Sequence, residues 1–130
     1  MTSTTAPHIL LAEDEDAMRT YLERALTNAG YRVSAVDRGT EAIPLLETGD
    51  FDLLLSDIVM PEMDGIQLAH HCNMVSPTTD VIFITGFSGV AMRAGASIPN
   101  AKVLAKPFHL RDLVLEVRRL FAMESFGELK

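Results

Sequence analysis

Acids, a hydroxyl and a lysine stand in four short stretches of this chain: Glu13-Asp14-Glu15-Asp16, Ser56-Asp57, Thr85-Gly86 and Lys106-Pro107. Two carboxylates held a few ångströms apart repel by about 4 kcal/mol at an effective dielectric near 20. A hard divalent cation relieves that repulsion. Mg²⁺ suits the task, because it keeps several waters and takes one or two carboxylates together with phosphate oxygen. A lysine and a hydroxyl aimed at the same spot would hold the remaining oxygens of a phosphoryl group. If the stretches meet, Asp14, Asp57, Thr85 and Lys106 make a phosphate-plus-magnesium site.

Each residue also has a plainer reading. Acids after a strand favour the positive end of the next helix, and Glu15 and Asp16 fit that role better than a metal site. Asp14 would fit it too if it stood alone; beside Asp57 the metal reading is the stronger. Asp57 follows a nearly continuous apolar run, Phe51–Leu55 and Ser56, where an unpaired carboxylate is costly. Lys106 offers it a counter-charge, although alone it reads as a surface lysine. Thr85 alone reads as a β-branched strand residue.

Whether the stretches meet depends on the elements that carry them. Apolar runs at Ile9–Ala12, Tyr31–Val36, Phe51–Leu55, Val81–Ile84 and Lys102–Ala105 lack polar alternation, as in strands covered on both faces of a parallel sheet. Between them lie stretches of helical length. Met18, Tyr21, Leu22, Ala25, Leu26 and Ala29 form an i, i+3, i+4 stripe that ends at Gly30. Gly39–Leu46 contains Pro44, tolerated best in a first turn. Gly65–Val75 starts after Asp64, residues 86–99 hold three glycines and predict a marginal helix, and Leu110, Leu113, Val114, Val117, Leu120 and Phe121 repeat the stripe. Five strands alternating with five helices predict an α/β, doubly wound parallel sheet, whose ligands collect beyond the carboxyl ends of the strands. Every run but the second ends there in a charged or hydroxyl group.

The 130 residues suffice for one domain, expected over 8–122 between a flexible tail at 1–7 and another at 123–130. A formal charge of −7 argues against nucleic acid as a partner. The single cysteine, Cys72, points to a reducing compartment, and no run reaches the length of a signal core or a membrane span. A cytoplasmic protein is expected, with no membrane partner. His70, His71 and Cys72 are consecutive on a helix and share no face, which disfavours a zinc site.

Taken together, Ile9-Leu-Leu-Ala-Glu-Asp14, Leu55-Ser-Asp57-Ile-Val-Met-Pro61-Glu-Met-Asp-Gly65, Phe83-Ile-Thr85-Gly86 and Lys106-Pro107 resemble the response-regulator receiver family of two-component signalling, over about residues 8–122. The resemblance implies a flavodoxin-like (β/α)5 fold with strand order 2-1-3-4-5. It implies that Asp57 takes a phosphoryl group from the phosphohistidine of a histidine kinase or histidine phosphotransferase. Asp14, Asp57 and the backbone carbonyl of Val59 would hold Mg²⁺, with Glu13 acting through water. Lys106 would pair with the phosphoryl oxygens, and the Thr85 hydroxyl would move to bond one of them. Such a chain is no turnover enzyme: it catalyses only its own phosphotransfer and its own dephosphorylation.

Two positions depart from the family pattern. Many receivers carry an aromatic switch residue three positions before the lysine, where this chain has Val103, so Phe87 and Phe108 become candidates for output coupling beside it. Val59 and Phe87 occupy places from which an amide or carboxylate could orient a hydrolytic water, which predicts slow self-dephosphorylation. More closely, Ile84-Thr-Gly-Phe87 and Lys102 to Val114 resemble the CpdR-type single-domain regulators of α-proteobacteria. That resemblance implies a partnership with the ClpXP protease in cell-cycle proteolysis; a monomer is the expectation for an isolated receiver, with dimerisation possible. Two other readings stay open. One is an adaptor on a receiver fold that works without phosphorylation. The other is an aspartate-nucleophile phosphatase of the haloacid-dehalogenase kind, disfavoured because Val59 stands where such enzymes carry a second Asp.

Overall fold

The computed structural model describes residues 6–85, 98, 101–105 and 109–128, with side chains described as far as 122. Its strands are β1 (His8–Ala12), β2 (Arg32–Val36), β3 (Leu53–Asp57), β4 (Asp80–Thr85) and β5 (Ala101–Ala105). They form one parallel sheet in the order β2-β1-β3-β4-β5. From β1 the chain moves outward to β2, then returns to β3 on the other side of β1. That reversal is a topological switch point, where loops from neighbouring strands part and leave a crevice.

Successive residues of a strand point to opposite faces, and both faces are covered here. Leu10, Ala12, Leu54, Val81 and Phe83 join one core cluster with Ala42, Leu46, Leu68, Ala69 and Cys72. Ile9, Leu11, Leu53, Leu55, Ile82 and Ile84 join the other with Leu22, Leu26, Leu113, Val117 and Leu120. This two-sided burial is why the strands read as unbroken apolar runs.

The helices are α1 (Asp16–Asn28), α2 (Gly39–Thr48), α3 (Gly65–Val75) and a C-terminal helix (Leu110–Glu128). On α1 the buried stripe is narrower than the periodicity predicts: Leu22 and Leu26 are buried, Met18 packs at their edge, and Tyr21 is exposed. Ala29 caps the helix, and Gly30 takes the left-handed backbone, φ +103°, that turns the chain into β2. Pro44 lies in the second turn of α2, not the first. It removes one intrahelical donor, and the helix persists because Ala42 and Leu46 bury its inner face.

The C-terminal helix runs on to Glu128, past the boundary at 122. At the other end, Arg32 donates its backbone N–H to the Pro7 carbonyl and its Nε to that of Ala6. The helix expected over 86–99 lies outside the described residues, apart from Ile98, which is buried in the first cluster. No described helix is long and apolar enough to cross a membrane.

Candidate phosphoryl and metal site

Strand register decides which side chains meet. Ala12 pairs with Ser56, so Glu13 and Asp14 leave β1 alongside Asp57, the last residue of β3. Asp57 pairs with Ile84, and Ile58 extends the ladder by donating its N–H to the Ile84 carbonyl at 3.2 Å. Thr85 therefore ends β4 one step beyond, opposite Ala105 of β5. Lys106 follows directly on Ala105 in the chain, but it lies outside the described residues, as do Phe87 and Phe108.

Glu13, Asp14 and Asp57 each offer a carboxylate oxygen within 4.8 Å of the others, the one such cluster of acid, histidine or cysteine groups among the described residues. Asp57 is only 8% exposed and Glu13 is buried, whereas Asp14 faces solvent. Like charges this close repel, and partial burial strengthens the repulsion by lowering the local dielectric. The donor set is all oxygen, and one acid opens to water. These are the features a hard, partly hydrated divalent cation needs. The trio can therefore bind such a metal.

Glu13 and Asp57 are oriented by their neighbours. Glu13 donates its N–H to the Val36 carbonyl at 3.1 Å, and its Oε2 accepts the Glu15 N–H at 3.1 Å. Val59 turns its N–H toward Asp57 Oδ1 at 3.4 Å, while its side chain stands 57% exposed beside the site. Thr85 is fully buried at its strand end. Val103 is half-buried, pairs with Phe83 and packs against the first core cluster.

The motif's glycine has a role that a turn signal does not disclose. A Cβ on Gly65 would run into the carbonyl oxygen of Asp57, and the Gly65 N–H donates to the Ile58 carbonyl at 2.8 Å. The start of α3 thus lies directly against the backbone that presents Asp57. Asp64 caps that helix by accepting the Gln67 N–H at 2.8 Å, and the Gln67 side chain accepts the Asp64 N–H in return. Just before it, Glu62 adopts φ 70°, uncommon without glycine, and accepts a hydrogen bond from Thr40 Oγ1 at 3.3 Å.

The remaining candidates fall elsewhere. Cys72 is buried in the core, and burial pushes its thiol up to about 11, so it stays protonated and inert. His71 approaches Glu47 at 3.4 Å, and His70 is exposed. No shared zinc geometry brings these three together among the described residues.

Comparison with known proteins identifies the family. The family model described as the response regulator receiver domain matches residues 9–118. The response regulator receiver protein CpdR of Brucella abortus is 51% identical over 113 residues, which cover 86% of this chain and 94% of that protein. The sensor kinase CckA of the same organism is 38% identical over 122 residues, 90% of this chain but 13% of the kinase. A response regulator receiver protein from Sinorhizobium medicae has a crystal structure that superposes with a TM-score of 0.82 at 32% identity, covering 91% of this chain and 96% of that one.

Proposed function

Because the chain belongs to the response-regulator receiver family and is of the CpdR type, we propose that it accepts a phosphoryl group on Asp57 and thereby switches its contacts with a protein partner. The observation that carries this reading is the nearly buried Asp57 carboxylate within 4.8 Å of the Glu13 and Asp14 oxygens. A nearly buried acid beside two others costs stability unless a cation joins them. The placement suits an acid that must bind a cation and attack phosphorus.

In the step proposed, an oxygen of Asp57 attacks the phosphorus of a phosphohistidine. A P–O bond forms, the P–N bond breaks, and the departing imidazole nitrogen takes a proton from solvent. Asp14, Asp57 and the Val59 carbonyl would hold Mg²⁺ directly, and Glu13 through water. Bound there, Mg²⁺ offsets the charge that gathers on the phosphoryl oxygens. Lys106 pairs with those oxygens, and the Thr85 hydroxyl turns to donate to one of them. That turn is the conformational signal, since Thr85 is buried and cannot move without shifting what packs on β4 and β5.

The donor is a histidine kinase or histidine phosphotransferase. The likeness to CckA covers a receiver-sized piece of that kinase, so it supports shared signalling machinery rather than naming the donor. Likeness to CpdR supports a cytoplasmic, monomeric adaptor for ClpXP-dependent proteolysis, with Phe87, Val103 and Phe108 as routes from the site to the partner surface. Val59, apolar and exposed at the rim, cannot orient an attacking water, so the aspartyl phosphate hydrolyses slowly.

The test is incubation with Mg²⁺ and acetyl phosphate, followed by intact-protein mass spectrometry. Wild type gains the mass of one phosphoryl group; Asp57→Ala, and wild type without Mg²⁺, gain none. Absence of any gain, together with no binding of beryllofluoride, would replace this reading with an adaptor that works without phosphorylation.

A further inference from the structure

The loop that delivers Glu13 and Asp14 is tied down by a residue from α1. Arg19 Nη1 donates to the Glu13 backbone carbonyl at 3.0 Å, and its Nη2 donates to Asp16 Oδ1 at 2.6 Å. The Arg19 side chain is 21% exposed and Asp16 is 89% exposed. An ion pair with so exposed a partner contributes little, so the contact that matters is the one to the Glu13 carbonyl. The guanidinium is a rigid fork whose two donors span the loop from its first residue to the start of the helix. Glu13 is thereby held at three points: its N–H by Val36, its carbonyl by Arg19 and its carboxylate by the Glu15 N–H.

We propose that Arg19 is a positioning residue of the metal and phosphoryl site, fixing the Glu13 carbonyl so that the Glu13 and Asp14 carboxylates stand at binding distance from Asp57. The proposal rests on the reading of the acid trio as a Mg²⁺ site. It differs in sign from what charge alone would do. Removing a cation from the loop that carries two of the three carboxylates makes the site more negative, and Coulomb attraction then tightens Mg²⁺ binding. Removing a positioning contact lets the acids drift apart and weakens binding, roughly tenfold by analogy with other outer-shell partners of metal ligands.

The experiment titrates Mg²⁺ into the full chain by calorimetry and measures amide hydrogen exchange at Glu13 and Glu15 in metal-free buffer. Arg19→Met keeps the apolar stem of the side chain and removes the fork. It is expected to bind Mg²⁺ roughly tenfold more weakly, with faster exchange at both amides and unchanged exchange in the interior of β1. Arg19→Lys restores the charge but not the fork, and is expected to resemble Arg19→Met. Asp16→Ala, which deletes only the exposed partner, is expected to bind like wild type. Tighter or unchanged Mg²⁺ binding in Arg19→Met, or full rescue by Arg19→Lys, would overturn the proposal. Asp57→Asn separates the two readings: if it binds Mg²⁺ as wild type does, the metal assignment fails. The exchange measurement needs no metal, so unchanged exchange in Arg19→Met would still defeat the role of Arg19.

Discussion

The two ends of the sheet handle polar groups in opposite ways. At the amino edge, His8 and Asp52 exchange bonds: the His8 N–H reaches Asp52 Oδ2 at 2.8 Å, and the Asp52 N–H reaches the His8 carbonyl at 2.8 Å. His8 Nε2 meets Ser34 Oγ at 2.8 Å, its ring lies 4.2 Å from that of Phe51, and Thr79 Oγ1 donates to the Phe51 carbonyl at 2.7 Å. Donors face acceptors in each of these contacts. At the carboxyl edge the same sheet gathers three carboxylates within 4.8 Å of one another. Donor–acceptor pairing stabilises a fold, whereas crowded like charges lower its stability until a ligand arrives. One edge is arranged for stability; the other carries the crowding expected where a chain departs from local rules at a functional site, as the proposed function requires.

That contrast can be broken experimentally. The largest effect is expected from Gly65→Ala, because the added methyl must displace the backbone carbonyl of Asp57. A loss of about 3 kcal/mol in urea unfolding is expected. A loss near zero would mean that the carboxyl edge is slack where it has been described as tight.

Asp57→Asn should act in the opposite direction. Removing one of three crowded charges is expected to stabilise the metal-free protein by about 1 kcal/mol. The advantage should shrink or reverse in excess Mg²⁺, which stabilises only a chain that binds it. Thermal melts with and without Mg²⁺ read both parts. A destabilised variant in metal-free buffer would show that the Asp57 charge is better compensated than its acidic neighbours suggest.

The smallest effect belongs to the amino edge. Burial, and then the nearby Arg32 charge, lower the pKa of His8 below its ordinary value, against opposing contributions from Asp50 and Asp52. A lowered folded-state value means that the unfolded chain binds the proton more readily. The His8 contribution is therefore complete above the ordinary histidine range and is lost as pH falls through it toward the folded value. Urea unfolding of wild type and His8→Gln, compared across that range, should show wild type losing more stability toward acid. Parallel profiles would remove His8 from the account of that edge.

Much of this was legible in the residues. The apolar runs locate every strand to within about two residues, because burial on both faces leaves no polar alternation to confuse the pattern. Asp14, Asp57 and Thr85 could be picked out because each stands within two residues of the end of such a run. Tyr21 illustrates the limit: helical spacing places it on the apolar stripe, but only the neighbouring elements decide how wide a stripe is covered, and it lies outside. Pro44 illustrates another, since a helix keeps a proline in its second turn when packing outweighs the lost bond.

The sequence by itself determined the alternation of elements, the chemical inventory at the strand ends and, through its motifs, the family. Tertiary structure alone decided that Glu13 and Asp14 lie within reach of Asp57, because that follows from the parallel register of β1 and β3, residues more than forty positions apart. It also decided what Gly65 and Arg19 touch. Periodicity records which face of an element is buried, but a glycine pressed against a carbonyl and an arginine reaching back across a loop are relations between elements. They exist only once the sheet has brought those elements together.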